Sequence, residues 1–159
     1  MFELDLLGDA GLERDLVALA AGLDDPETFL REDAAPLEGA AVRRAFDTGG
    51  RPEPWPDITA KSRAERKVDA ASGPLIDSGA LEDAASDGRG GVAGSLFSVS
   101  GDTLTMGTDL VYAATQNFGR ADANVPARLY EDLTPGDALA LGAAYEDDYL
   151  HRLLAGMTP

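Results

Sequence analysis

The chain has 159 residues, with 29 acids against 13 bases and a formal charge of −16. That length suits one domain with a real core, while the charge argues against free binding to duplex nucleic acid, whose affinity rests on neutralised phosphates. Cysteine is absent, which excludes disulfides, thiolate metal sites and a cysteine nucleophile; no apolar run reaches membrane-spanning length, and no basic-then-apolar leader is recognisable, so a soluble protein is expected.

Phe2, Leu4 and Leu6 alternate with Glu3 and Asp5, which predicts a short strand able to join a sheet. Leu12, Leu16, Leu19 and Leu23 then form one stripe of an amphipathic helix facing the core. The stripe is too short for a coiled coil. Asp25-Pro26 opens a second helix with Asp25 as its cap; Pro36 interrupts it, and Leu37, Val42 and Phe46 continue to a stop at Gly49-Gly50.

Residues 47–74 change character: glycine, proline and charged residues dominate, around a single tryptophan. Trp55 is read as a side chain that pins this long loop onto the domain. A short helix is predicted from Thr59 to Val68. Arg51, Lys61, Arg63, Arg66 and Lys67 place five of the 13 bases within 17 positions, and with Trp55 they are the interface candidates. The basic run is either a solvated face that relieves self-repulsion or a surface that docks on acid, the nearest being a neighbouring protomer. In residues 74–86, PLIDSGALEDAAS, Asp77 or Ser78 caps a turn, Gly79 allows a tight bend, and Leu75 and Leu81 anchor its ends.

Val92 to Gly119 is the best-specified stretch. Ser100-Gly101-Asp102-Thr103 has the chemistry of a two-residue type II′ turn. It pairs Val99 with Leu104 and Phe97 with Met106 on one face, and places Ser98, Ser100, Thr103 and Thr105 on the other. Thr108 or Asp109 is expected to cap a following helix with Leu110, Ala114 and Phe118 at helical spacing and Gly119 as its left-handed stop. A further strand is expected at about residues 125–130. The last helix starts at Thr134 with Pro135 first and Asp137 placed for a capping box; Leu141, Tyr145, Tyr149 and Leu153 form its buried stripe, His151 and Arg152 lie at its negative end, and Gly156 stops it.

Four segments carry a resemblance in the right order. GTDLVYAATQNFG, with Gly107, Thr108, Tyr112, Ala113, Phe118 and Gly119, resembles the signature of the phage virion morphogenesis family, the tail-completion proteins of tailed viruses. Phe46, Gly49, Gly50, Trp55, Pro56 and Thr59 match a second segment, and Leu75, Asp77, Ser78, Gly79 and Leu81 a third. Val125, Pro126, Ala127 and Arg128 match the fourth, where the usual second proline is Leu129 and the aromatic is Tyr130. The resemblance spans roughly residues 40–135. It implies a structural virion protein: a tail-completion or neck component that forms a homo-oligomeric ring, for example a hexamer, at the head–tail junction. Such a protein would contact neighbouring tail and neck proteins, be assembled in the host cytoplasm, and need neither specific nucleic-acid binding nor a membrane.

No P-loop, dinucleotide fingerprint, nucleophile elbow or zinc spacing occurs, so no catalytic, cofactor-binding or metal-ligating residue is assigned and no enzyme is expected. His151, the only histidine, is read as a helix-end charge. The Asp-Ser-Gly at Asp77 has no second copy to make an aspartic-protease pair. Aspartate and glutamate in excess, with only Lys61 and Lys67 as lysines, read as adaptation to a high-salt cytoplasm, that of a haloarchaeal virus or provirus; an ordinary acidic protein from a GC-rich genome is the plainer alternative. The expected architecture is one α+β domain over residues 1–159. Residues 1–47 supply a strand and helices, 48–74 a loop with a basic helix, and 75–159 the hairpin, a short helix, a strand and the last helix. Its small antiparallel sheet is drawn from residues 2–7, 92–99, 102–107 and 125–130, with helices from both ends packed on it. Two other functions compete: an acidic adaptor binding a protein partner through the Trp55 loop, and a metal-dependent enzyme built on scattered carboxylates.

Overall fold

A computed structural model describes residues 10–24, 26–65 and 73–155. The strand expected at residues 2–7, the Asp25 cap, Arg66, Lys67 and the Gly156 stop lie outside them. The fold is α+β: a two-stranded antiparallel sheet, β1 (Ser95–Ser100) and β2 (Thr103–Thr108), with helices from both ends of the chain.

Helix α1 (Ala10–Asp24) is followed by α2 (Glu27–Phe29), a π-helical turn at Leu30–Ala34, and α3 (Ala35–Thr48). Pro36 therefore does not interrupt the helix as expected. It has no N–H to donate and its ring crowds the carbonyl four residues back. The turn before it widens, so that the Ala35 N–H reaches back to the Leu30 carbonyl, and the helix continues. The stop at Gly49-Gly50 is a Schellman motif: Gly49 lies at φ 70°, ψ 34°, its N–H donates to the Phe46 carbonyl, and the Gly50 N–H donates to that of Ala45. The α1 stripe is only partly covered, with Leu16 and Leu23 exposed and Leu19 half-buried. Its described packing partner is the end of the last helix, where the Tyr149 hydroxyl donates to the Gly22 carbonyl at 2.7 Å.

The hairpin has the expected register, with Val99 opposite Leu104, Phe97 opposite Met106 and Ser98 opposite Thr105. Gly101 sits at φ 58°, and Asn124 is the only non-glycine at positive φ among the described residues, so only the first central residue of the turn is left-handed, as a type II′ turn requires. The hairpin packs on α5 (Ala80–Ala85), which follows the Gly79 bend at φ 82°.

Two expectations around it are corrected. Helix α6 (Ala113–Phe118) has no side-chain cap; the Thr108 hydroxyl instead accepts from the Leu110 N–H and donates to the Gly94 carbonyl, shaping the turn ahead of the helix. The buried face of α6 is Ala113 and Asn117, whereas Ala114 and Phe118 are exposed and Leu110 precedes the helix. Gly119 ends it at φ 74° but with extended ψ 175°. Residues 126–130 add no strand to the hairpin, and Val125 makes only an isolated bridge with Arg120. The reason is where the N–H groups go: Arg128 donates to the Gln116 and Asn117 carbonyls, and Tyr130 to the Asn117 side chain, which ties this segment to the end of α6.

The chain closes with α7 (Pro135–Ala143), a π-helical turn at Ala144–Tyr149 and α8 (Leu150–Ala155). Two apolar cores result. One gathers Val42, Phe46, Leu81, Ala113 and Tyr130. The other sits where the two π turns meet, with Phe29 edge-on to Tyr145 at 5.1 Å and both Phe29 and Tyr145 against Tyr149; Leu141 and Leu153 pack on it, so the last helix turns the expected stripe onto this core, with Tyr149 buried and the other three half-buried.

Candidate interface

The loop after α3 is fixed by side chains at both ends. Trp55 is half-buried, edge-on to Phe46 at 5.4 Å, and its indole N–H donates to the Leu129 carbonyl at 3.0 Å. Arg128, 4 % exposed, donates from below to the Pro56 carbonyl at 2.9 Å and the Asp57 carbonyl at 3.3 Å. Trp55 thus pins the loop inward. Beyond it Thr59 caps α4 (Ala60–Ala64), accepting from the Ser62 N–H, and the remainder of the expected helix, residues 66–68, lies outside the described residues.

The described basic candidates are mostly engaged within the protein. Arg51 turns inward to the buried Asp137 carboxylate at 3.0 Å and to the Ala41 carbonyl at 3.2 Å. Arg63 pairs with Asp57. Lys61 is well exposed and only loosely paired with Glu65, at 3.9 Å. Arg66 and Lys67 lie outside the described residues, so the structure brings no basic patch together from the remainder.

Asp137 is a buried carboxylate paired with two arginines. It accepts from the Thr134 N–H and hydroxyl in a full capping box, and from Arg44 at 2.8 Å and Arg51 at 3.1 Å. Burial opposes its ionisation, but these bonds outweigh burial and hold the carboxyl well below the ordinary carboxylate range. Glu38 and Glu131 move the other way: burial raises both, and the charge of Glu38 raises Glu131 further. Asp87, whose pKa is lowered chiefly by the Val92 N–H, also accepts from Ser95 and Arg89 and sets the entry to the hairpin. Asp87 and Arg128 are structural residues that periodicity could not single out; the Thr-Pro-x-Asp spacing did signal the Asp137 cap, but not its two arginines.

An open groove of about 520 Å³ lies between α4, the Leu75–Asp77 turn and α6, floored by Arg128 and rimmed by Asp57, Tyr112 and Val125. Among the described residues no group of three or more His, Cys, Asp or Glu side chains could hold a metal ion, and no buried side-chain polar atom lacks a partner. No described helix is long and apolar enough to cross a membrane. Exposed apolar side chains instead collect along the sequence around α6, with Val111 96 % and Phe118 71 % exposed and Tyr112 beside them. Comparison with protein-family models, curated proteins and solved structures finds no match.

Proposed function

We propose that this chain is a structural virion protein, a tail-completion or neck component that assembles as a ring at the head–tail junction of a tailed virus. One observation carries the reading: the four separated segments that resemble the phage virion morphogenesis family converge on one core. Phe46 and Trp55 from the second segment meet Leu75 and Leu81 from the third, Ala113 from the first, and Tyr130, the aromatic of the fourth. The loop of the second segment is bonded to the fourth twice over, through Trp55 to Leu129 and through Arg128 to Pro56. That shared core supports reading the four segments as parts of one folding unit.

The same geometry weighs against an adaptor that binds through Trp55, because the indole N–H is bonded to Leu129 and the ring packs edge-on against Phe46. The ring is the functional unit of this reading, and its neighbours are tail and neck proteins. Deleting the gene from a producing virus or provirus is the test. Separate, DNA-filled heads and finished tails that fail to join are expected in electron micrographs of the lysate; normal joined particles would refute the role.

A further inference from the structure

The stretch Val92–Gly119 is almost free of charge. Two of its 28 residues, Asp102 and Asp109, are among the Asp, Glu, Lys and Arg that carry charge, in a chain with 29 acids and 13 bases over 159 residues. Within it, β1 reads SLFSVS and β2 reads TLTMGT, with no charge, no proline and an uninterrupted register. Exposed strand edges are ordinarily blunted by lysine, proline or a bulge, because a row of unpaired N–H and C=O groups templates another strand. None of these devices is present here.

The register shows which groups face outward. Ser100 and Thr103 flank the two-residue turn and exchange its closing hydrogen bonds, so Ser98–Thr105 and Leu96–Gly107 are the other bonded pairs. Phe97 and Val99 therefore direct their N–H and C=O groups out along one edge, and Leu104 and Met106 along the other. None of these four residues forms a backbone bond to a described element other than its partner strand.

We propose that these edges are where a second copy of the chain docks, the β1 edge of one protomer pairing with the β2 edge of the next. Charge selects the occupant. Two copies at −16 repel across most of their surface and least where the strands meet, which carry no charged side chain of their own and are flanked by Arg31 over the Phe97 ring as well as by Asp87 at Ser95 and Glu131 at Gly107. A strongly basic partner would gain more on the acidic remainder of the surface, whereas a second copy brings the same uncharged strands and a complementary edge. Leu96, exposed on β1 itself, supplies apolar area beside it. The two edges are unlike, so the contact is head-to-tail and repeats until it closes. The inference rests on the ring reading and names its interface.

Val99→Pro and Val99→Ala, with the wild type, test it in molar potassium chloride by sedimentation velocity. Proline removes the outward N–H while keeping an apolar side chain of similar size; alanine removes more packing but keeps the N–H. The wild type and Val99→Ala should assemble, and Val99→Pro, folded by circular dichroism, should associate roughly tenfold more weakly at each contact. Hydrogen exchange on the wild type decides independently of any folding defect: the Phe97, Val99, Leu104 and Met106 amides should be open in dilute monomer and protected in the assembly. Full assembly by Val99→Pro, or unprotected edge amides in assembled wild type, would overturn the edge contact and leave the ring standing. Wild type that stays monomeric at every concentration would overturn both.

Discussion

Asp137→Ala should be among the most damaging single changes outside the two apolar cores. The carboxylate is 6 % exposed and holds four donors: the Thr134 N–H at 2.9 Å, its hydroxyl at 2.6 Å, Arg44 at 2.8 Å and Arg51 at 3.1 Å. Its loss removes the reciprocal half of the α7 capping box and leaves the Thr134 N–H without its acceptor, which costs about 1 kcal/mol, while Thr134 still caps the helix. It also strands the Arg51 guanidinium, whose side chain is 21 % exposed, with only the Ala41 carbonyl and the Thr134 hydroxyl as partners. Breaking a fully buried pair costs about 3–5 kcal/mol. Arg44 is half exposed and rehydrates, so a total of about 3 kcal/mol is expected, and about 1.5 kcal/mol for Asp137→Asn, which keeps an acceptor. The pH dependence has a definite sign. The folded pKa lies below the ordinary 3.8, so this stabilisation is present above 3.8 and is lost as pH falls through and below it. Urea unfolding of both proteins in molar potassium chloride should give a gap that is constant near neutrality and narrows below about pH 4. A gap under about 1 kcal/mol, or one unchanged by acid, would refute the reasoning.

Trp55→Ala should destabilise by about 2–3 kcal/mol, less than for a fully buried ring because the indole is half covered, and Trp55→Phe by about 1 kcal/mol through the lost bond to Leu129. Urea titration checks both; unchanged stability with lost assembly would instead make Trp55 an interface anchor. Thermal melts should show a lower midpoint in dilute buffer than in molar potassium chloride, since screening relieves the self-repulsion of −16 charges, and equal midpoints would remove the high-salt reading.

Local chemistry made much of this fold legible. The hairpin register followed from a glycine at the first turn position and a period of two, the α7 cap from Thr-Pro-x-Asp, and the α3 stop from paired glycines, because each signal acts within a few residues. What failed depends on partners distant in sequence. A strand at residues 125–130 fitted the pattern, but the carbonyls at the end of α6 took its N–H groups. Ala114 and Phe118 had helical spacing, yet the core lay under Ala113 and Asn117, one residue round the helix. Pro36 read as a break because a sequence does not show that one turn can widen to admit it. Of the candidate interface, Arg51 could not be assigned to Asp137, 86 positions away, from composition alone.

The ring is the central claim, and purified protein in molar potassium chloride tests it most directly. Mass photometry combined with negative-stain electron microscopy should show closed rings of one stoichiometry in equilibrium with monomer. A single monomeric species at every concentration, with no ring in any field, would contradict the account.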